Sequence, residues 1–174
     1  MSDERGARSR AREARSEKRE ARSEKREAIP AQGRVLACDW GTVRIGLAMS
    51  DETQLIATPL GALRRRAGKR LPLRDFLDVV EREHPVGLVV GLPLDDDSHE
   101  GESALAAREM AELFSTKAGL PLAFTDEDFS TARVLEISRE VGRTARDRQH
   151  EIDARAAAVL LQRWLEARRG STHG

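Results

Sequence analysis

Apolar runs of two kinds, continuous and helically spaced, divide residues 34–168 into elements. Val35-Leu36-Ala37-Cys38 is an unbroken run of strand length, followed by Asp39-Trp40-Gly41-Thr42 and a second run, Ile45–Met49. Two such runs around a glycine-containing turn read as buried strands folded back on each other. Gln54–Leu63 is mostly apolar and adds a third strand, giving an antiparallel meander. Beyond Pro72, Leu73, Phe76, Leu77 and Val80 recur at helical spacing, which predicts an amphipathic helix over 72–84 ended by Pro85. Val86–Leu92 (VGLVVGL) has no polar position and reads as a central buried strand. A helix over 102–118, with Leu105, Met110 and Leu113 among its apolar positions, stops at Lys117-Ala118-Gly119. Pro121–Thr125 is a short strand, Thr131–Ile137 begins a helix capped by Ser130, and Gly142–His150 is a polar loop. Ile152–Arg168 is the last helix, with Trp164 and Leu165 on its apolar side. The order β-β-β-α-β-α-β-α-α predicts an α/β fold: a mixed five-stranded sheet, antiparallel meander plus parallel strands, covered by helices.

The 174 residues leave room for one domain and an appendage. Residues 1–32 read as a charged, disordered tail, 33–169 as the domain, and 170–174 as a flexible end. Within the tail REARSEK repeats from Arg12, with only Ala14, Ala21 and Ala28 apolar, too little for a coiled coil. Its arginines are the alternative signal, a stripe able to meet RNA or a ribosomal surface. Formal net charge is zero overall, +3 over 1–28 and −3 over the remainder. Such a body does not hold nucleic acid by bulk charge; local patches must do so. The candidates are Arg64, Arg65, Arg66, Lys69 and Arg70, and Arg143, Arg146 and Arg148. The lone Cys38, in a strand run, reads as a small buried hydrophobe. No apolar stretch nears the ~20 residues that cross a bilayer, and there is no signal-type N-terminal core. The expectation is a cytoplasmic protein with no membrane partner.

The candidate chemistry is carboxylate chemistry. Asp39 ends a buried strand, where an unpaired charge is costly, and Gly41-Thr42 beside it leaves room for a phosphate to approach. Asp126-Glu127-Asp128 follows another strand, and Asp153 lies in the first turn of the last helix. In sheets with parallel strands the site lies beyond the strands' C-terminal ends, where these acids can converge. Carboxylates from separate elements either hold a divalent metal or divide acid and base roles. Oxygen ligands favour Mg2+ or Mn2+, and such ions serve phosphodiester hydrolysis. Asp95-Asp96-Asp97 lacks the ligand spacing of a cation loop and reads as surface. There is no His/Cys zinc cluster, nucleophile-elbow serine or P-loop.

Four motifs in order resemble one family. Asp39-Trp40-Gly41-Thr42 with Ile45-Gly46-Leu47-Ala48, Val90-Gly91-Leu92-Pro93, Asp126-Glu127-Asp128-Phe129-Ser130-Thr131, and Ile152-Asp153-Ala154 with Ala156-Ala157 are similar to the YqgF family. This family is also called RuvX, or the pre-16S rRNA nuclease family, and its fold is RNase H-like. The resemblance covers about residues 33–168. It implies a metal-dependent nuclease acting at the 5′ end of pre-16S rRNA, with metal-binding carboxylates at Asp39, Glu127 and Asp153. It also implies likeness to resolvases of branched DNA, and hence RNA or branched DNA, ribosomal particles, and a monomer or homodimer as the possible partners and state. A non-catalytic RNA- or ribosome-binding factor on the same scaffold is the alternative outside enzymology. Asp128 stands where the family usually has arginine, and Trp40 is bulkier than the usual residue. Asp-x-Gly-Thr also resembles the phosphate loop of actin-like ATPases, but those need two such domains.

Overall fold

The structure, a computed structural model, describes residues 29–41, 43–65, 71–93, 101–127 and 145–172, without the side chains of 126, 127, 145–148 and 172. Its strands are β1 (Val35–Trp40), β2 (Arg44–Ser50), β3 (Ala57–Arg64), β4 (Gly87–Pro93) and β5 (Leu122–Glu127). Its helices are α1 (Leu73–Glu83), α2 (Glu102–Ala118) and α3 (Ala145–Thr172). The strands form one sheet in the order β3-β2-β1-β4-β5. β1, β2 and β3 pair antiparallel, and β4 and β5 run parallel to β1. This is the expected five-stranded mixed sheet, an antiparallel meander plus parallel strands. β1 is the middle strand; β4, expected to be central, is interior and one place off centre.

Strand alternation sorts the core into two halves. Leu36, Cys38, Ile45, Leu47, Leu88, Val90, Leu92, Leu122 and Phe124 face α1 and α2. There Phe76 and Phe114 stack with ring centres 4.0 Å apart. Val35, Ala37, Ala48, Val89 and Ala123 face α3, which contributes Ala157, Leu160, Leu161, Trp164 and Leu165. The small residues on this face let a helix lie close to the sheet. Leu105, expected on the buried side of α2, is 52 % exposed. The buried stripe runs Ala104, Ala107, Met110, Ala111, Phe114, and Leu105 lies on the opposite side of the helix from the middle of that stripe.

The last helix is longer than its apolar pattern. It begins at Ala145, inside the expected polar loop, and continues through residues 170–172, expected as a flexible end. Gln149 donates to Asp153 and Arg155 pairs with Glu151 at 2.6 Å, both at i,i+4. Such pairs support a helix that has no apolar period. At the other end Ser171 Oγ bonds the Ala167 carbonyl at 2.9 Å. At 1.5 Å per residue, α3 is about 42 Å long against about 20 Å for β1. Asp153 lies at the C-terminal end of β1 and Arg168 near its N-terminal end, so residues 145–152 overhang the rim.

Residues 29–32, expected within the tail, are seated on the domain. Ile29 is fully buried against Gly87. Arg168 donates to the Ile29 and Pro30 carbonyls, and Gln54 Nε2 to the Pro30 and Gly33 carbonyls. The expected helix 131–137 with Ser130, the loop 95–100 and residues 1–28 lie outside the described residues.

Candidate active site

Asp39 is the penultimate residue of β1. Residues 35 and 37 face α3, and so therefore does position 39. Its neighbours are Gly46 on β2 and Gly91 on β4. No side chain stands on either flank, which leaves the carboxylate in a shallow trough.

Gly46 also lets α3 approach. A Cβ there would collide with the backbone carbonyl of Asp153. The helix turn carrying Asp153 thus rests directly on the strand beside Asp39, and Asp39's negative charge is felt at Asp153.

Burial raises the pKa of the Asp153 carboxyl above the usual carboxylate range. A hydrogen bond from Gln149 at 3.3 Å and the charge of Arg44 oppose that rise, and Asp39 adds to it. Arg44 Nη1 lies 3.9 Å from Asp153 Oδ2. Their gross attraction is about 4 kcal/mol at an effective dielectric of about 20. Removing two ions from water costs several kcal/mol each, so the pair does not compensate its own burial. Consistent with that, Asp153 Oδ2 and Arg44 Nε are buried with no hydrogen-bond partner.

Neither Arg44 nor Gln149 was singled out from the sequence. Arg44 was legible through alternation, since it shares the face of Gly46 and Ala48. Gln149 was legible only as i−4 to Asp153, once the helix is known to begin before it.

The third expected carboxylate, Glu127, is the last residue of β5 and pairs with Pro93. Asp126 and Glu127 thus belong to the strand, which runs past its expected end at Thr125. Parallel pairing extends the strand because both backbones run on together through Leu92↔Asp126 and Pro93↔Glu127. Position 127 has the alternation of Ala123 and falls on the α3 face at the same rim as Asp39. Its side chain, and Asp128, lie outside the described residues. Among the described residues no three His, Cys, Asp or Glu cluster as a metal would need; Asp39 and Asp153 are the two carboxylates that come together.

The cationic candidates divide. Arg64 ends β3 opposite Arg44 and is exposed. Arg65 stacks its guanidinium 4.0 Å from the Trp40 ring centre and donates to the Gly41 carbonyl at 3.1 Å. It therefore braces the β1–β2 turn. Trp40 packs at the edge of the α1/α2 core, which its bulk suits. Arg146 and Arg148 are on the overhang of α3, not in a loop. Arg66, Lys69, Arg70, Arg143 and Thr42 lie outside the described residues. Gly41 donates its N–H to the Arg44 carbonyl at 2.9 Å, and a Cβ would strike that carbonyl. The turn itself requires the glycine, whatever approaches it.

Cys38 is fully buried, and burial, then the charge of Asp39, push its thiol above the usual range. It is an inert core residue. His150 is half-buried one helix turn before Asp153, and His84 is an exposed helix cap. No described helix is long and apolar enough to cross a membrane.

Residues 33–167 match a family model described as RuvX, Holliday junction resolvase. A protein of Anaeromyxobacter sp. (strain Fw109-5) named "Putative pre-16S rRNA nuclease" is 42 % identical over 136 residues, covering 78 % of this chain and 98 % of the relative. A protein of the same name from Mycobacteroides abscessus is 39 % identical over 141 residues, covering 80 % of this chain and 85 % of the relative. A solved structure of Thermus thermophilus RuvC matches at a TM-score of 0.48 and 18 % identity, covering 79 % of this chain and 96 % of that one.

Proposed function

The chain belongs to the RuvX (Holliday junction resolvase) family, and from that premise we propose that it is a metal-dependent nuclease that trims the 5′ end of pre-16S rRNA in the cytoplasm. The observation that carries the reading is the contact of α3 with Gly46, which brings Asp153 beside Asp39 at the C-terminal rim of the parallel strands.

The described residues fit a divalent cation. Asp153 Oδ2 has lost water without gaining a donor, a cost that a cation removes. Asp39 supplies a second oxygen donor from a rigid strand, and Glu127 is the proposed third. Hard oxygen donors select Mg2+ or Mn2+ over softer metals. Bound there, the ion supplies Lewis acidity to the phosphodiester and an acidified water.

The protein's own groups perform the rest. Asp39 and Asp153, fixed on β1 and α3, would hold the cation that faces the reacting phosphate, and Gln149 holds the Asp153 carboxylate in one orientation. Arg64, with Arg66, Lys69, Arg70, Arg143, Arg146 and Arg148, offers charge to the flanking backbone phosphates, while Gly41 and Thr42 border the approach. Hydrolysis adds water's hydroxyl to phosphorus, breaks one P–O ester bond, and delivers the proton to the leaving oxygen. The test is cleavage of a precursor rRNA fragment with Mg2+ or Mn2+. Asp39→Asn is expected to lower the rate at least 100-fold on the scale of lost charge stabilisation, and full activity in that variant sinks the proposal.

The description of the matching family favours a second reading, resolution of branched DNA. A four-way junction assayed beside the rRNA fragment decides between them. Symmetric cutting of a junction also requires a homodimer, which sedimentation detects, whereas trimming an RNA end is within reach of a monomer. Ribosomal particles are the proposed setting for the RNA reaction.

A further inference from the structure

Arg44 and Asp153 lie together at the site without a hydrogen bond between them. A structural Arg–carboxylate pair closes to about 2.7–2.9 Å and is often bidentate; here the approach is 3.9 Å. The side chains are only 19 % and 24 % exposed. Gln149 occupies Asp153 Oδ1, so Oδ2, the oxygen toward Arg44, is the one left buried and unpartnered, as is Arg44 Nε. Each group has a charge it needs to match and donor or acceptor capacity it does not use.

Arg44 stands directly opposite Arg64 on β3, and both belong to the face that carries Asp39. Like charges directly opposite across a strand pair repel. An anion at this rim relieves the repulsion, and the planar fork of arginine matches phosphate oxygens.

We propose that Arg44 is a shared counter-ion. With no cation bound it neutralises Asp153. When a divalent cation takes its place at Asp153, its guanidinium turns to a non-bridging phosphate oxygen of the nucleic-acid strand. Cation and strand then bind cooperatively through one side chain. This inference rests on the reading of Asp39 and Asp153 as cation ligands. Arg44 is a positioning residue toward the cation, and its contact with the strand couples the two binding events.

The experiment titrates Mn2+ into the full-length protein by calorimetry, with and without a short 5′-phosphorylated RNA that a gel shows to remain intact. In the wild type the RNA is expected to tighten Mn2+ binding by on the order of tenfold, a typical coupling between sites. Arg44→Gln is expected to bind Mn2+ several-fold more tightly than wild type without RNA. The RNA then adds at most about a twofold gain, because the competitor it displaced is gone. If Arg44→Gln shifts the Mn2+ Kd by the same factor with and without RNA, Arg44 is only a nearby charge and the proposal is overturned. If neither Kd changes, it is overturned as well. Arg44→Lys keeps the charge and loses the fork, so it is expected to bind Mn2+ as weakly as wild type without RNA and to gain less from RNA. That variant carries the test should Arg44→Gln fail to fold in a thermal melt. Asp39→Asn separates the two readings: wild-type Mn2+ binding in that variant overturns the cation site itself, whereas loss of binding there with unchanged coupling in Arg44→Gln overturns only the role of Arg44.

Discussion

Asp51 shows how a single carboxylate can organise a connection far from the chemistry. Its Oδ1 accepts the backbone N–H groups of Leu55 and Ile56 at 2.8 and 2.7 Å, and its Oδ2 those of Thr53, backbone at 3.2 Å and hydroxyl. These bonds shape the turn between β2 and β3. With the Thr53 hydroxyl contributing most, they hold the carboxyl at a pKa of about 2, below its ordinary 3.8. The folded-state pKa is the depressed one. The stabilisation is therefore complete above the unfolded pKa and is lost as pH falls toward the folded value. Asp51→Ala should cost about 1–2 kcal/mol at pH 7, the range for a charge-assisted turn or cap. The gap between variant and wild type should close between about pH 4 and pH 2. Chemical denaturation at a series of pH values measures it, and a gap that persists at pH 2 contradicts the assignment.

At the scale of elements, the site depends on how closely α3 lies on β2. Gly46→Ala puts a methyl into the space held by the Asp153 carbonyl, and neither backbone can yield without moving the element that carries it. Overpacking of this kind costs about 1–3 kcal/mol. Displacing the Asp153 turn should lower nuclease activity far more than an equally destabilising change elsewhere, such as Val79→Ala on α1. A matched pair of melting curves and rate measurements tests that difference; equal activity at equal stability argues against the placement. The same contact explains what was readable in advance. Strands buried on both faces leave unbroken apolar runs, so β1, β2 and β4 were legible, and a charge at the end of such a run marked Asp39. The start of α3 was not legible, because its first turns overhang the sheet and need no apolar period. An arginine at the start of a strand looks like ordinary surface: alternation gives Arg44 the face of Gly46 and Ala48, and only the fold shows that α3 covers that face there.

For the molecule as a whole, the boundary of the folded unit lies earlier than composition indicates. Charge density falls only after Ala28, and Pro30 and Gln32 look like linker. Yet Ile29 is among the largest side chains fully buried in the described structure, and it joins the core beneath α3. Its carbonyl and that of Pro30 are held by Arg168, which spans from the C-terminal end of α3 to the start of the domain. Arg168 Nη1 also donates to Gln54 Oε1 at 3.2 Å, so three distant segments close on one guanidinium. This lock sits at the N-terminal end of β1, opposite Asp39, and can be weakened without touching the chemistry. A protein beginning at Ala28 should keep the full melting temperature. One beginning at Gly33 should lose about 2–5 kcal/mol, the range for emptying the space of a buried Ile, and Ile29→Ala in the full chain should lose a comparable amount. In each case activity measured well below the melting temperature should stay near that of the intact protein, because the carboxylates at the other rim keep their positions. Equal stability for the two truncations shows instead that residues 29–32 are not part of the folded unit.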